Sequence, residues 1–139
     1  MLKTKLLHPE ILFALGQAGH GSRILIADGN YPFVTGSPAG AQHVFLNLAP
    51  GLVSVPDVLD ALVASVPIEQ ATVMVPEDGQ DQPIFTDFRK ILPDDLDLTK
   101  KKRFEFYDFA REEDTILVIA TGEQRTYANL LLTIGVVKP

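Results

Sequence analysis

Apolar and polar positions along the chain follow two rhythms, and each rhythm predicts a different kind of element. "PEILFALGQAG" (Pro9 to Gly19) sets Ile11, Leu12, Leu15 and Ala18 at helical spacing. Pro9 suits a first helical turn because its missing N–H would have no partner there. Gly19 can end the helix in a left-handed conformation. "RILIA" (Arg23 to Ala27) is a short apolar run bounded by turn residues, so it reads as a buried strand that stops at the turn signal "DGNYP". "HVFLNL" (His43 to Leu48) predicts a second strand. Ser54, three residues before Asp57, forms a variant capping box ahead of a helix whose inner face is Val58, Leu59, Leu62 and Val63. "ATVMV" (Ala71 to Val75) reads as a third buried strand, "PEDGQDQP" (Pro76 to Pro83) as a polar loop, and Phe85, Phe88, Ile91 and Leu92 as the face of a further helix.

The C-terminal third carries less contrast. "PDDLDL" after Ile91–Leu92 is a carboxylate-rich connection, and "RFEFYDFAREED" (Arg103 to Asp114) predicts a helix in its second half. "TILVIATG" (Thr115 to Gly122) is the clearest central strand. Tyr127, Leu130, Leu131 and Ile134 follow helical spacing up to Gly135. Strands alternating with helices predict an α/β fold, three layers (α/β/α) around a mostly parallel sheet, in one domain spanning 1–139.

Composition narrows the function more than the fold. With 139 residues, 46% of them hydrophobic, the chain can bury a core without staples. It has no cysteine, which excludes disulfides, thiolate metal sites and a cysteine nucleophile. The net charge of −6 opposes binding to nucleic acid, which calls for a positive surface. The single basic run, "KKKR" (Lys100 to Arg103), reads as a solvated element end. Glu10 and Gln17 break the N-terminal apolar stretch, which therefore does not read as a signal peptide, and no run approaches the ~20 apolar residues of a membrane span. The expectation is a soluble, cytoplasmic protein without a membrane partner.

Candidate chemistry gathers at strand ends. Open α/β sheets bind ligands beyond the C-terminal ends of their strands, where Asp28 sits; an Asx turn with its own backbone is the plainer reading of that aspartate. His20, between Gly19 and Gly21, has the titration range of a general acid, though a histidine at a helix C-terminus is equally consistent with its position. Tyr127 and Asn129 would share a face in an extended loop and could bond one polar ligand; otherwise Tyr127 is core and Asn129 a cap. Three scattered histidines give no metal spacing, and no phosphate-cradling glycine loop follows a strand, so neither metal nor nucleotide is expected.

The whole chain resembles the D-ribose pyranase / L-fucose mutarotase (RbsD/FucU) family, through "MLKT", "GHG…AD", "RFEFYDFA" and "ATGEQRTYANLLLTIGV" in collinear order. The resemblance implies an enzyme without cofactor that interconverts ring or anomeric forms of a free monosaccharide. It implies His20 as proton donor and Asp28, Arg103, Tyr127 and Asn129 as sugar-binding residues. Arginine rather than histidine at 103 leans toward the fucose branch. Gly29, Asp108 and Ala128 depart from the family pattern, and Ala128 in place of glycine is expected to narrow the pocket. A five-residue strand from Arg23 to Ala27 would span about 16 Å, more than one sugar bridges, so His20 and Asp28 either meet by a fold-back of "GHGS" or belong to different subunits. The resemblance implies a ring-based homo-oligomer, a decamer, with pockets at subunit contacts, which favours the second arrangement. Ribose pyranase activity, or a sugar-binding accessory protein without turnover, is the alternative.

Overall fold

In the computed structural model, which describes residues 1–139, six strands form one sheet: β1 (Arg23–Ala27), β2 (Gln42–Phe45), β3 (Ile68–Val75), β4 (Leu98–Lys102), β5 (Thr115–Ala120) and β6 (Leu130–Ile134). Their spatial order is β2-β5-β1-β6-β3-β4. β5 pairs in parallel with both β1 and β2, and β3 pairs in parallel with β4. β6 runs antiparallel to both of its neighbours, β1 and β3. Five strands therefore point one way, and one reversed strand joins the two parallel halves.

Strand alternation sends side chains to two separate cores. Ile24, Ile26, Leu117, Ile119, Leu130 and Leu132 face α1 (Pro9–Gln17), α2 (Val55–Val63) and α3 (Ile84–Ile91), where Ile11, Leu59, Phe85 and Phe88 fill the space. Leu25, Ala27, Val118, Leu131 and Met74 face the other way, onto Phe106 and Ala110 of α4 (Arg103–Ala110) and onto Tyr31. The result is the expected three-layer α/β/α arrangement with a mostly parallel sheet. No helix is long and apolar enough to cross a membrane.

Local signals explain most helix starts. Pro9 opens α1, and the Ser54–Asp57 capping box opens α2, with the Ser54 N–H donating to Asp57 Oδ2 at 3.0 Å and the Asp57 N–H donating to Ser54 Oγ at 3.3 Å. α3 begins at Ile84, one residue ahead of its first expected apolar position.

Five elements need correction. Residues 130–134 are the strand β6 and not a helix. Every one of them is buried, and a strand covered on both faces reads as a continuous apolar run whose periodicity does not separate it from a buried helix. "DLTKKK" contains the edge strand β4, hidden from pattern reading because an edge strand beside β3 carries charged and polar side chains. The α4 helix occupies the first eight residues of "RFEFYDFAREED", where Glu105 accepts a hydrogen bond from the Lys102 N–H at 3.2 Å and caps the start. β2 ends at Phe45, short of Leu48, and β3 begins at Ile68, ahead of Ala71.

A strand at the sheet centre and a strand at its edge respond differently to truncation. Leu132→Ala should lower the unfolding free energy by about 2–5 kcal/mol in urea titrations, the usual range for a buried leucine. Lys100→Ala on β4, in an exposed pair with Asp81, should change it by less than about 1 kcal/mol.

Candidate active site

The ends of four elements converge at one edge of the sheet. β1 and β3 finish there with Asp28 and Met74, β6 starts there just after Asn129, and β4 runs directly into α4 at Arg103. Between them lies a cavity of about 380 Å³ lined by Asp28, Asn30, Tyr31, Met74, Arg103, Tyr107, Thr126, Tyr127 and Asn129. That volume falls in the range of small-molecule sites, roughly 300–1,000 Å³. Its position outside the C-terminal ends of parallel strands is where such folds bind ligands.

Asp28 forms the floor. It is 2% exposed, and its backbone N–H donates to Asn129 Oδ1 at 2.8 Å while Asn129 Nδ2 donates back to Asp28 Oδ2 at 3.0 Å. The Ala128 N–H adds a second donor to Oδ2 at 3.2 Å, and the Asn30 N–H donates to Oδ1 at 3.0 Å. This includes the Asx turn that the sequence allowed, and the same carboxylate also lines the cavity. Burial raises the Asp28 carboxyl above the ordinary carboxylate range, outweighing the hydrogen bonds from Asn30, Ala128, Tyr31 and Asn129 that favour its charged form.

Arg103 and Tyr107 form the wall. They lie four residues apart on α4, hence on one helix face, with the guanidinium carbon 5.6 Å from the Tyr107 ring centroid. Arg23, Arg89, Arg111 and Arg125 each pair with a carboxylate, whereas Arg103 has none within 4.0 Å. With no carboxylate to pair with, its guanidinium faces the Tyr107 phenol and the cavity. Tyr127 faces the cavity from the β5–β6 loop with φ of 58°, a left-handed conformation unfavourable for a tyrosine. It is not in the extended loop that its spacing from Asn129 suggested.

The four expected binding residues thus surround one cavity, but His20 is elsewhere. It lies at the opposite end of β1, where its Nε2 sits 2.9 Å and 3.1 Å from the two Glu69 carboxylate oxygens. A fold-back of "GHGS" onto Asp28 of the same chain does not occur. The His20 side chain is 59% exposed and so open to another molecule. Ala128 does not narrow the pocket: it is fully buried in the larger core and does not line the cavity. Asp108 is exposed beside Arg111, away from the cavity.

Sequence reading missed Tyr107, Asn30, Thr126 and Met74. Tyr107 was within reach, since a helix starting at Arg103 puts residue 107 beside it. Glu69 carried no signal, because its meeting with His20 depends on the register of β3 against β6.

Residues 1–137 match the RbsD / FucU transport protein family. The chain belongs to that family. It is 37% identical over 144 residues to the fucose mutarotase of Homo sapiens, covering 94% of this chain and 90% of the relative. It also superimposes on the crystal structure of the fucose mutarotase in complex with L-fucose from Streptococcus pneumoniae, with a TM-score of 0.83 at 26% identity over 99% of this chain and 100% of the other. The Bacillus subtilis RbsD complexed with D-ribose gives a TM-score of 0.85 at 26% identity, over the same shares.

The raised Asp28 sets a sign for pH dependence. A carboxyl held above its unfolded value supports folding fully below the ordinary carboxylate pKa near 3.8, and that support is lost as pH rises through the higher folded value. Asp28→Asn abolishes the titration. In urea unfolding at stepped pH, the wild type should lose stability relative to Asp28→Asn as pH rises above the ordinary carboxylate value of 3.8; a pH-independent difference would contradict burial as the dominant influence.

Proposed function

We propose that this protein is a monosaccharide mutarotase, acting on L-fucose-type sugars by opening and reclosing the hemiacetal ring. The observation that carries this is the cavity in which Asp28, Arg103, Tyr127 and Asn129 meet, in a chain whose relatives include a fucose mutarotase and a structure holding L-fucose. Its lining of one carboxylate, one unpaired guanidinium, amides and phenols matches a ligand made of hydroxyl groups. Arg103 favours the fucose-type substrate. D-ribose, exchanged between pyranose and furanose forms, is the second reading, supported by the likeness to the RbsD structure with D-ribose.

The chemistry needs two proton movements. One proton is delivered to the ring oxygen as its bond to the anomeric carbon breaks, and one leaves the anomeric hydroxyl, giving the open aldehyde. Reclosure on the other face of the carbonyl reverses both transfers. Such general acid–base help contributes roughly 10²–10⁴-fold. His20 is the acid in this reading, with Glu69 holding its imidazole, and Arg103, Tyr127 and Asn129 grip hydroxyls. No cofactor or metal has a part in the reaction.

His20 reaches the cavity from a second copy. Exposed apolar residues flank both ends that would have to meet: Phe104 beside Arg103 at the cavity mouth, and Val136 and Val137 just beyond β6 at the His20 end. Contact between unlike surfaces is head-to-tail, and head-to-tail contacts form a ring when the rotation closes. Together with the family resemblance this supports the proposal of a ring-based homo-oligomer, a decamer, of the single-domain chain 1–139 in the cytoplasm.

Saturation-transfer NMR on L-fucose tests both parts. His20→Gln should slow anomer exchange about 10²–10⁴-fold. Assemblies mixing His20→Gln with Asn129→Ala chains, each inactive alone, should regain part of the activity, because some sites then combine an intact histidine with an intact cavity. An unchanged rate for His20→Gln removes the acid, and no recovery in the mixture removes the shared site.

A further inference from the structure

The loop between β5 and β6 carries a carboxylate that never touches the cavity. Glu123 is 5% exposed, and its two oxygens are gripped by Arg125 as a fork, with Arg125 Nε donating to Oε1 and a terminal guanidinium nitrogen donating to Oε2, both at 2.9 Å. The Arg125 backbone N–H adds a third bond to Oε1 at 3.1 Å, and the Val55 N–H at the start of α2 donates to Oε2 at 3.4 Å. Burial opposes the charge of Glu123, yet the Arg125 bonds prevail and hold its carboxyl below the ordinary range. Arg125 also reaches α3, donating to Asp87 at 2.9 Å.

The same loop is tied down on its other sides. The Glu123 carbonyl accepts from the Gly29 N–H at 2.9 Å, so it is fastened next to Asp28. Gly122 lies so close to the carbonyls of Ala49 and Leu52 that any Cβ would collide with them. Downstream, the Ala128 N–H and the Asn129 side chain are fixed on Asp28. Between these two anchors stand only Thr126 and Tyr127, and Tyr127 is the one non-glycine residue of the chain with positive φ. An unfavourable backbone conformation persists only where its surroundings over-determine it.

We propose that the Glu123–Arg125 fork is a positioning device, which forces Tyr127 into its left-handed conformation and so aims the hydroxyl of Tyr127 into the sugar cavity. This deepens the proposed function and rests on it for the part concerning sugar. Glu123 acts through Tyr127 and touches no substrate. Loosening the fork lets residues 124–127 relax toward ordinary φ, swings Tyr127 out of the cavity and weakens sugar binding, while the proton-transfer groups stay in place. The effect therefore falls on KM more than on kcat.

Three variants test this: Glu123→Gln, Tyr127→Phe and the two combined. Arg125→Gln serves as a second route to the same loosening from the exposed side. The first readout is independent of activity. The chain has three tyrosines and no tryptophan, so ¹³C-labelled tyrosine gives three ring signals in the full-length protein. Glu123→Gln and Arg125→Gln should shift or broaden the Tyr127 signal and leave that of buried Tyr31 in place. An unmoved Tyr127 signal in both variants would overturn the proposal whatever the sugar results.

The second readout is anomer exchange on L-fucose. Glu123→Gln should raise KM about tenfold with kcat within about twofold, and should add less than twofold in the Tyr127→Phe background, since residues that act as a unit are not additive. An equal tenfold loss in both backgrounds, or a loss confined to kcat, would overturn it. A wild type that exchanges no sugar would sink the mutarotase reading alone, and the tyrosine signals would still decide the clamp.

Discussion

Two buried polar side chains must satisfy one another for this site to exist. Asp28 ends β1 and Asn129 precedes β6, strands that run in opposite directions, and their reciprocal hydrogen bonds at 2.8 Å and 3.0 Å lock those two ends together. A buried polar group left without a partner costs about 1–3 kcal/mol, so the Asn129 amide, whose two bonds both go to Asp28, is held where Asp28 stands. Because the reversed strand sits between the two parallel halves of the sheet, that lock also fixes where β1 stands relative to β3, β4 and the start of α4. The cavity is the space this arrangement leaves. Tyr127 is pinned beside it because it lies two residues from Asn129, and Arg103 faces it because β4 delivers the first turn of α4 to the same edge.

The site is open at one side, and the chain's own general acid candidate is at the far end of β1. That separation follows from geometry: a strand holds its two ends apart, and no loop in this chain spans the distance. A catalytic group at one end can serve a pocket at the other only between copies. In the proposed mechanism self-association is therefore part of the chemistry, and exposed Phe104 at one end of the sheet and Val136 and Val137 at the other are the surfaces it would use.

Much of this was legible before the structure, and the gaps have physical causes. Pro9, the Ser54–Asp57 box and the apolar runs of β1, β3 and β5 announce themselves because local geometry and full burial leave strong signatures in sequence. β6 reads as helix in the sequence because Leu130 to Ile134 are buried on both faces, which leaves no alternation to mark a strand. β4 was invisible because "LTKKK" follows the polarity of an edge. At the site, Asp28, Arg103, Tyr127 and Asn129 were recognisable as a set through resemblance, while their meeting depends on strand order. Tyr107 would have followed from a correct start for α4. Glu69 could not be foreseen, since it meets His20 across 49 residues of chain, and the Glu123–Arg125 fork, though local, shows its anchoring only through its bonds to Val55 and Asp87.

A crystal structure of the protein soaked with L-fucose tests the central claim most directly. The account predicts electron density for the sugar between Asp28, Arg103, Tyr127 and Asn129, with the His20 imidazole of a second copy within hydrogen-bond reach, roughly 2.6–3.2 Å, of the ring oxygen. Sugar bound away from this cavity, or a cavity filled with no histidine from any copy near the ring oxygen, would contradict it.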